Sequence, residues 1–281
     1  MKKFISLLTL CFMVLFGLSL AGCGNDSMYV NKGKLTVAVS TDFAPMEFLD
    51  LTKTGQERYV GADIEFAKYL AKELGVEVYF KSMDFDLVLA ALDNGIADIA
   101  ISGFSYTDDR AASYLYTECY YKKGDGGQVV VVKKEDAENY KTLASLNMED
   151  KKIAAQNGTL QVGLVENQLP NAKLVLIDNL IDAYDKLTSG AIDGVAVDAE
   201  VAATLVGTFP DEYAICEEPF EYEDDGNYAL VKKGNTKLKE AVDAAIAKME
   251  ENQFSQWVNE ANILFDSLGD NAGEDIYPEE E

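Results

Sequence analysis

Residues 35–102 alternate between short β-rich runs and longer runs of helical periodicity, and few architectures accept that order. Residues 35–39 are β-rich and run into Ser40-Thr41-Asp42, a turn signal. Over 63–74, Ile64, Ala67, Leu70, Ala71 and Leu74 recur at helical spacing, and Gly75 follows as a stop. Residues 76–80 read as a strand, 86–94 as a helix stopped by Gly95, and 97–102 as a buried strand. This β-α-β-α-β order predicts a mainly parallel sheet with helices on its faces.

The rhythm returns further on. Residues 153–155 form a strand, and Asn157-Gly158-Thr159 is a turn able to start a helix. A strand at 174–177, a helix at 181–189 stopped by Gly190, and a strand at 194–197 ending at Asp198 follow. Two helices, 238–249 and 254–261, complete the pattern, with Trp257 expected to pack the last of them. The strongest interior breaks are Gly124-Asp125-Gly126-Gly127 and Glu223-Asp224-Asp225-Gly226. The two halves share a general α/β rhythm and no short tandem repeat.

The N-terminus carries an address. Met1-Lys2-Lys3 is basic, residues 4–20 are uncharged and mostly apolar, and Leu20-Ala21-Gly22-Cys23 follows. Length and flanks suit a signal peptide better than a membrane span. Small residues before a Cys have the form of a lipobox, so 1–22 is expected to be a lipoprotein signal, Cys23 the lipidated residue and 23–33 a polar tether. Two or three acyl chains hold a protein firmly at a membrane. The expected location is the outer face of the cytoplasmic membrane.

Charge excludes some partners. With 49 acidic and 24 basic residues, the net charge of -25 repels phosphate backbones, so nucleic acid is not an expected partner. There is no His, and Cys11 and Cys23 fall in the leader and at the lipid site. That leaves Cys119 and Cys216, expected to be free thiols, and no metal or cofactor is expected. The stretch 266–281 holds seven acids, two Gly and a Pro and reads as a disordered tail.

Five segments in order carry a resemblance. They are Asp42-Phe43-Ala44-Pro45-Met46-Glu47-Phe48, Tyr59-Val60-Gly61-Ala62-Asp63-Ile64-Glu65, Met83-Asp84-Phe85-Asp86, Ser102-Gly103-Phe104-Ser105-Tyr106-Thr107-Asp108-Asp109-Arg110, and Gly190-Ala191-Ile192-Asp193-Gly194-Val195-Ala196-Val197-Asp198. Together they resemble the polar amino-acid branch of the family 3 periplasmic solute-binding proteins. The resemblance implies a type II periplasmic-binding-protein fold: two α/β lobes joined by two crossover strands, closing on ligand about a hinge. It places residues 34–122 and 223–265 in lobe 1 and 123–222 in lobe 2. It also implies a monomer that delivers a free amino acid to the permease subunits of an ABC importer.

The chemistry of the implied site follows from the ligand. An amino acid is a zwitterion, and burying it requires one fixed cation, one fixed anion and directional hydrogen bonds. Arg110 is the candidate for the ligand carboxylate, because a guanidinium grips a carboxylate with two parallel bonds. Asp198, at a strand end, is the candidate for the ammonium, and would also suit a helix N-cap. Ser102, Gly103 and Ser105 are expected to supply carbonyl, amide and hydroxyl contacts. Thr159 and Leu160 are expected to present amides from a helix start, and Phe43 and Phe85 to wall the side chain. Asp86 reads as the cap of the helix after Phe85.

For ligand identity, Ser40 stands where relatives selective for cationic amino acids usually place an acid. The expectation is therefore a neutral polar ligand such as glutamine or cystine, with Gln156 and Gln161 as side-chain partners. A cationic amino acid is the alternative if Glu47 or Glu65 reaches the pocket. Two other functions share the fold: a ligand-sensing module for a separate receptor, and a dehydratase-like enzyme that would use Glu47 or Asp42. The expectation is a binding protein, not an enzyme.

Overall fold

The computed structural model describes residues 28–122, 127–223 and 226–273. The leader, Cys23, residues 24–27 of the tether, Lys123 to Gly126, Asp224-Asp225 and residues 274–281 of the expected tail lie outside the described residues. Among the described residues no helix is long and apolar enough to cross a membrane.

The chain opens with β1 (Lys34–Val39), β2 (Phe48–Asp50), β3 (Tyr59–Val60), α1 (Ala62–Leu74), β4 (Glu77–Ser82), α2 (Phe85–Asp93), β5 (Ile99–Ala100), α3 (Asp108–Ser113) and β6 (Tyr114–Tyr116). It leaves this unit through β7 (Tyr121–Lys122). A second unit follows: β8 (Gln128–Lys133), α4 (Leu143–Leu146), β9 (Lys152–Gln156), α5 (Leu160–Gln168), β10 (Lys173–Ile177), α6 (Leu180–Thr188), β11 (Gly194–Asp198), α7 (Ala199–Thr208) and β12 (Tyr213–Ile215). The chain returns through β13 (Gly226–Asn227) to β14 (Leu230–Lys232), α8 (Thr236–Ile246), α9 (Gln253–Leu268) and β15 (Ala272–Gly273).

The first sheet runs β4-β1-β5-β14-β6 and the second β10-β9-β11-β8-β12. In the first, β1 is parallel to β4 and β5, while β14 is antiparallel to β5 and β6. In the second, β9 is parallel to β10 and β11, while β8 is antiparallel to β11 and β12. The two crossover strands pair with each other, Gly226 opposite Lys122 and Asn227 opposite Tyr121. This is the type II periplasmic-binding-protein arrangement.

Burial explains why these residues form these elements. In β1 every residue after Lys34 is buried, as a central strand covered on both faces requires. Helix α1 turns Ile64, Phe66, Ala67, Leu70 and Ala71 inward and ends on Gly75 in the left-handed conformation. Each large apolar side chain so buried contributes about 1.5–3 kcal/mol before entropy is counted. Trp257 lies in α9 with its ring 6.0 Å from that of Tyr69 and 5.9 Å from that of Phe254.

Two expectations need correction. Helix α9 runs through Leu268, and Ala272 and Gly273 pair with Asp50 and Leu49 of β2, so residues 266–273 are folded rather than part of a tail. The apolar contact of Phe265 with Phe48, ring centroids 5.3 Å apart, holds this extension down against its acidic composition. Asp86 is not a cap: Asp84 occupies the N-cap position of α2, and the Asp86 carboxylate accepts from Asn157 Nδ2 in the other lobe at 3.1 Å. Cys119 and Cys216 are not joined in a disulfide; Cys216 is buried in the second lobe, and the Cys119 thiol donates to the Tyr121 carbonyl.

Candidate functional site

Each sheet has one place where successive β-α-β connections depart in opposite directions. In the first it lies between β1 and β5, and in the second between β9 and β11. Loops leaving the carboxyl ends of such strands diverge and leave a crevice. The two crevices face each other, and all nine residues proposed from the sequence line the space between them. Phe43 follows β1, Phe85 opens α2, Ser102, Gly103 and Ser105 follow β5, and Arg110 lies in α3. Thr159 and Leu160 open α5, and Asp198 ends β11. Gln128, Gln156 and Gln161 complete the lining.

Arg110 is only 9% exposed. Its Nη1 donates to the Ser105 carbonyl at 3.1 Å and its Nη2 to the Gly158 carbonyl of the opposite lobe at 3.0 Å. The guanidinium carbon sits 5.0 Å from the ring centroid of Phe104 and 5.7 Å from that of Phe85. Burial lowers its pKa from the usual value, partly offset by Tyr116 and Tyr222. Among the described residues no carboxylate is paired with it. A buried cation held by carbonyls, ring faces and the Tyr116 hydroxyl, with no carboxylate beside it among the described residues, is well suited to an incoming carboxylate.

Asp198 is buried on the other side of the cleft. One oxygen accepts from the Glu200 amide at 3.0 Å, capping α7, and the other accepts from Gln128 Nε2 at 3.1 Å. Gln128 in turn accepts from Gln161 Nε2 at 2.6 Å. The carboxylate fixes the sense of this relay, since it can only accept, and both carboxamides are thereby oriented. Gln156 is fixed likewise: its Nε2 donates to Asp42 Oδ2 at 2.7 Å and to the Asp178 carbonyl at 3.0 Å, so its oxygen is what remains for the cleft.

Several contacts differ from expectation. The Gly103 amide donates to Asp63 Oδ2 at 2.8 Å, not into the cleft. Gly103 is required for another reason: its φ is +57°, and a Cβ there would come within 2.6 Å of the Phe43 ring. The Ser102 hydroxyl is also committed, accepting from the Ser40 amide at 3.0 Å and donating to Glu47 Oε1 at 2.5 Å. The Thr159 amide and hydroxyl both turn back onto the Gln156 carbonyl, which leaves the first-turn amides from Leu160 onward at the helix start.

Glu47 and Asp63 are fully buried acids behind this turn, outside the cleft lining. Burial, and then the Asp63 charge, push the Glu47 carboxyl well above the usual carboxylate range. Glu65 lies on α1 and pairs with Lys68 at 2.8 Å. Neither acid reaches the pocket.

Residues 35–260 match the family described as bacterial extracellular solute-binding proteins, family 3. The chain belongs to that family. It is 30% identical over 219 residues to the ABC transporter arginine-binding protein 1 of Escherichia coli, covering 77% of this chain and 85% of the relative. It is 29% identical to the L-cystine-binding protein TcyJ of Escherichia coli over 229 residues, covering 82% of each. Among solved structures, the amino acid ABC transporter substrate-binding protein AbpA of Streptococcus pneumoniae, bound to L-arginine, superposes with a TM-score of 0.75. That pair is 37% identical, covering 83% of this chain and 95% of AbpA. This family-3 chain is thus an amino-acid-binding protein for an ABC importer, acting outside the cytoplasm.

Sequence reasoning missed Gln128. It follows a Gly-rich break and begins a strand, so nothing local distinguishes it from an ordinary polar strand end.

Proposed function

We propose that the cleft binds a free α-amino acid whose side chain is rich in hydrogen-bond donors, with L-arginine as the first candidate. The observation that carries this reading is the pairing of a buried Arg110, which has no carboxylate partner among the described residues, with Asp198 on the facing lobe. Arg110 takes the ligand carboxylate together with the amides at the start of α5, and Asp198 takes the ammonium. Phe43 and Phe85 wall the side chain. Gln156 offers its oxygen there because its nitrogen is occupied twice. An acceptor-lined end between aromatic walls suits a guanidinium, and L-arginine is the ligand of the AbpA structure.

A second reading, a neutral polar amino acid such as glutamine or cystine, is favoured by Ser40 and by the position of Glu47 behind the cleft. An enzymatic role gains no support, because Asp42 and Glu47 both lie off the cleft lining. A sensory role would use the same binding step and a different docking partner. Delivery to a permease follows closure: ligand shifts the population toward closed because only that form makes both sets of contacts.

Titration calorimetry of the form beginning after Cys23 with L-arginine, L-glutamine, L-cystine and L-histidine tests the ligand. Preference for L-arginine supports the first reading, preference for glutamine or cystine the second, and silence with all four removes both. Cys23 carries the proposed lipid anchor, and the protein works as a monomer. Cys23→Ser is expected to release the protein from the membrane; a variant that stays bound refutes the anchor.

A further inference from the structure

Asp42 lies in the first lobe, yet two of its hydrogen bonds come from the second. Its Oδ2 accepts from Gln156 Nε2 at 2.7 Å and from the Leu180 amide at 2.9 Å, and its Oδ1 accepts from the Ser40 hydroxyl at 2.8 Å. The side chain is 8% exposed and is not part of the cleft lining. Leu180 is the first residue of α6, where the amide has no partner within the helix and the helix end is partially positive. Of the other contacts across the lobes, Asn157 with Asp86 and Thr208 with Asp266 are exposed, and Arg110 with Gly158 and Thr204 with Asn262 are partly buried. The Asp42 contacts are buried on both sides.

We propose that Asp42 is an affinity-setting residue that never touches the ligand and acts by latching the second lobe closed. A carboxylate that gains two donors only on closure stabilises the closed form alone, and a contact of that kind sets apparent affinity through the closed population. The same bond orients Gln156, so the latch and the cleft share one side chain. Ligand enters the open form by way of Arg110, before the latch is made. Its removal therefore acts on release rather than on capture.

The test compares wild type with Asp42→Ala and Asp42→Asn, using L-arginine as probe. Stopped-flow rates are expected to show dissociation about tenfold or more faster in Asp42→Ala, with association unchanged to about twofold. Asp42→Asn keeps neutral hydrogen bonds and is expected to fall between, which also provides a folded variant if Ala disrupts the loop. Amide exchange at Leu180 gives a readout that a general loss of stability would not single out. Its amide is protected in wild type and loses protection in Asp42→Ala, while core amides such as that of Val131 keep theirs. Equal dissociation rates, or a Leu180 amide unprotected in wild type with ligand and without it, would overturn the proposal. A wild type that ignores L-arginine counts against the ligand reading alone, and the same rates and Leu180 exchange are then read with whichever of L-glutamine, L-cystine or L-histidine binds.

Discussion

Arg110 Nη2 donates to the Gly158 carbonyl at 3.0 Å, so the cation of the first lobe reaches the backbone of the second at the turn that starts α5. The side chain expected to receive a ligand carboxylate is thus also one of the contacts that register the two lobes. Its removal has two consequences that reinforce each other.

Arg110→Ala is expected to lose about 2–5 kcal/mol of amino-acid binding, because a buried carboxylate would be left without its partner. Arg110→Lys keeps the charge and loses the planar fork, and is expected to recover less than half of that. Calorimetric titration of both variants with the same ligand checks the order.

Gly158 approaches the first lobe closely: a Cβ there would come within 3.2 Å of the Asp86 Cα, and its φ of +76° disfavours any other residue. Gly158→Val is expected to wedge the lobes apart and weaken ligand binding about tenfold or more. Small-angle scattering with saturating ligand should then show a molecule more extended than wild type. An unchanged radius would refute the wedge.

Gln128 links Gln161 to Asp198 and touches both lobe-2 loops of the cleft. Gln128→Leu removes an acceptor from one and a donor from the other, at about 1–3 kcal/mol for each buried group left unpaired. Ligand affinity should fall with it, because Asp198 would lose one of the bonds that orient it. Titration calorimetry alongside urea unfolding separates the binding loss from the stability loss.

Glu47 gives a pH dependence of definite sign. Its carboxyl is raised well above the ordinary value of 4.5, so the folded state favours the neutral acid. The stability it contributes is complete below the unfolded value and is lost as pH rises through the folded one. Glu47→Gln keeps an oxygen for Ser102 and cannot ionise. Its Tm should match wild type near pH 4 and exceed it increasingly toward pH 8. A difference that shrinks with rising pH would reverse the assignment.

The elements legible in the sequence are those with a local cause. Gly75 and Gly95 follow helices in the left-handed conformation, and the apolar spacing of α1 is the spacing of its buried face. All nine proposed cleft residues line the crevice because strand ends after β-α-β connections leave few places for them. What escaped was the partner of each polar group. The Gly103 amide is taken by Asp63, 40 residues away, and the Ser102 hydroxyl by Glu47, 55 residues away. Asp86 looked like a cap because caps are local, whereas its partner Asn157 lies across the cleft. The latch at Asp42 and the relay through Gln128 are likewise made by residues distant in sequence, adjacent only once both lobes are formed in the first case and the second lobe in the other.

The paired crossovers, Tyr121–Lys122 and Gly226–Asn227, also govern the order in which the molecule can be completed. The second sheet draws its strands from one uninterrupted stretch ending at Ile215, whereas the first waits for Leu230–Lys232 to fill the gap between β5 and β6. A chain emerging N-terminus first therefore finishes its guest before its host. The host stays an open sheet until the last fifth of the polypeptide arrives, and a premature stop between these two points would leave one complete lobe attached to an unclosed one.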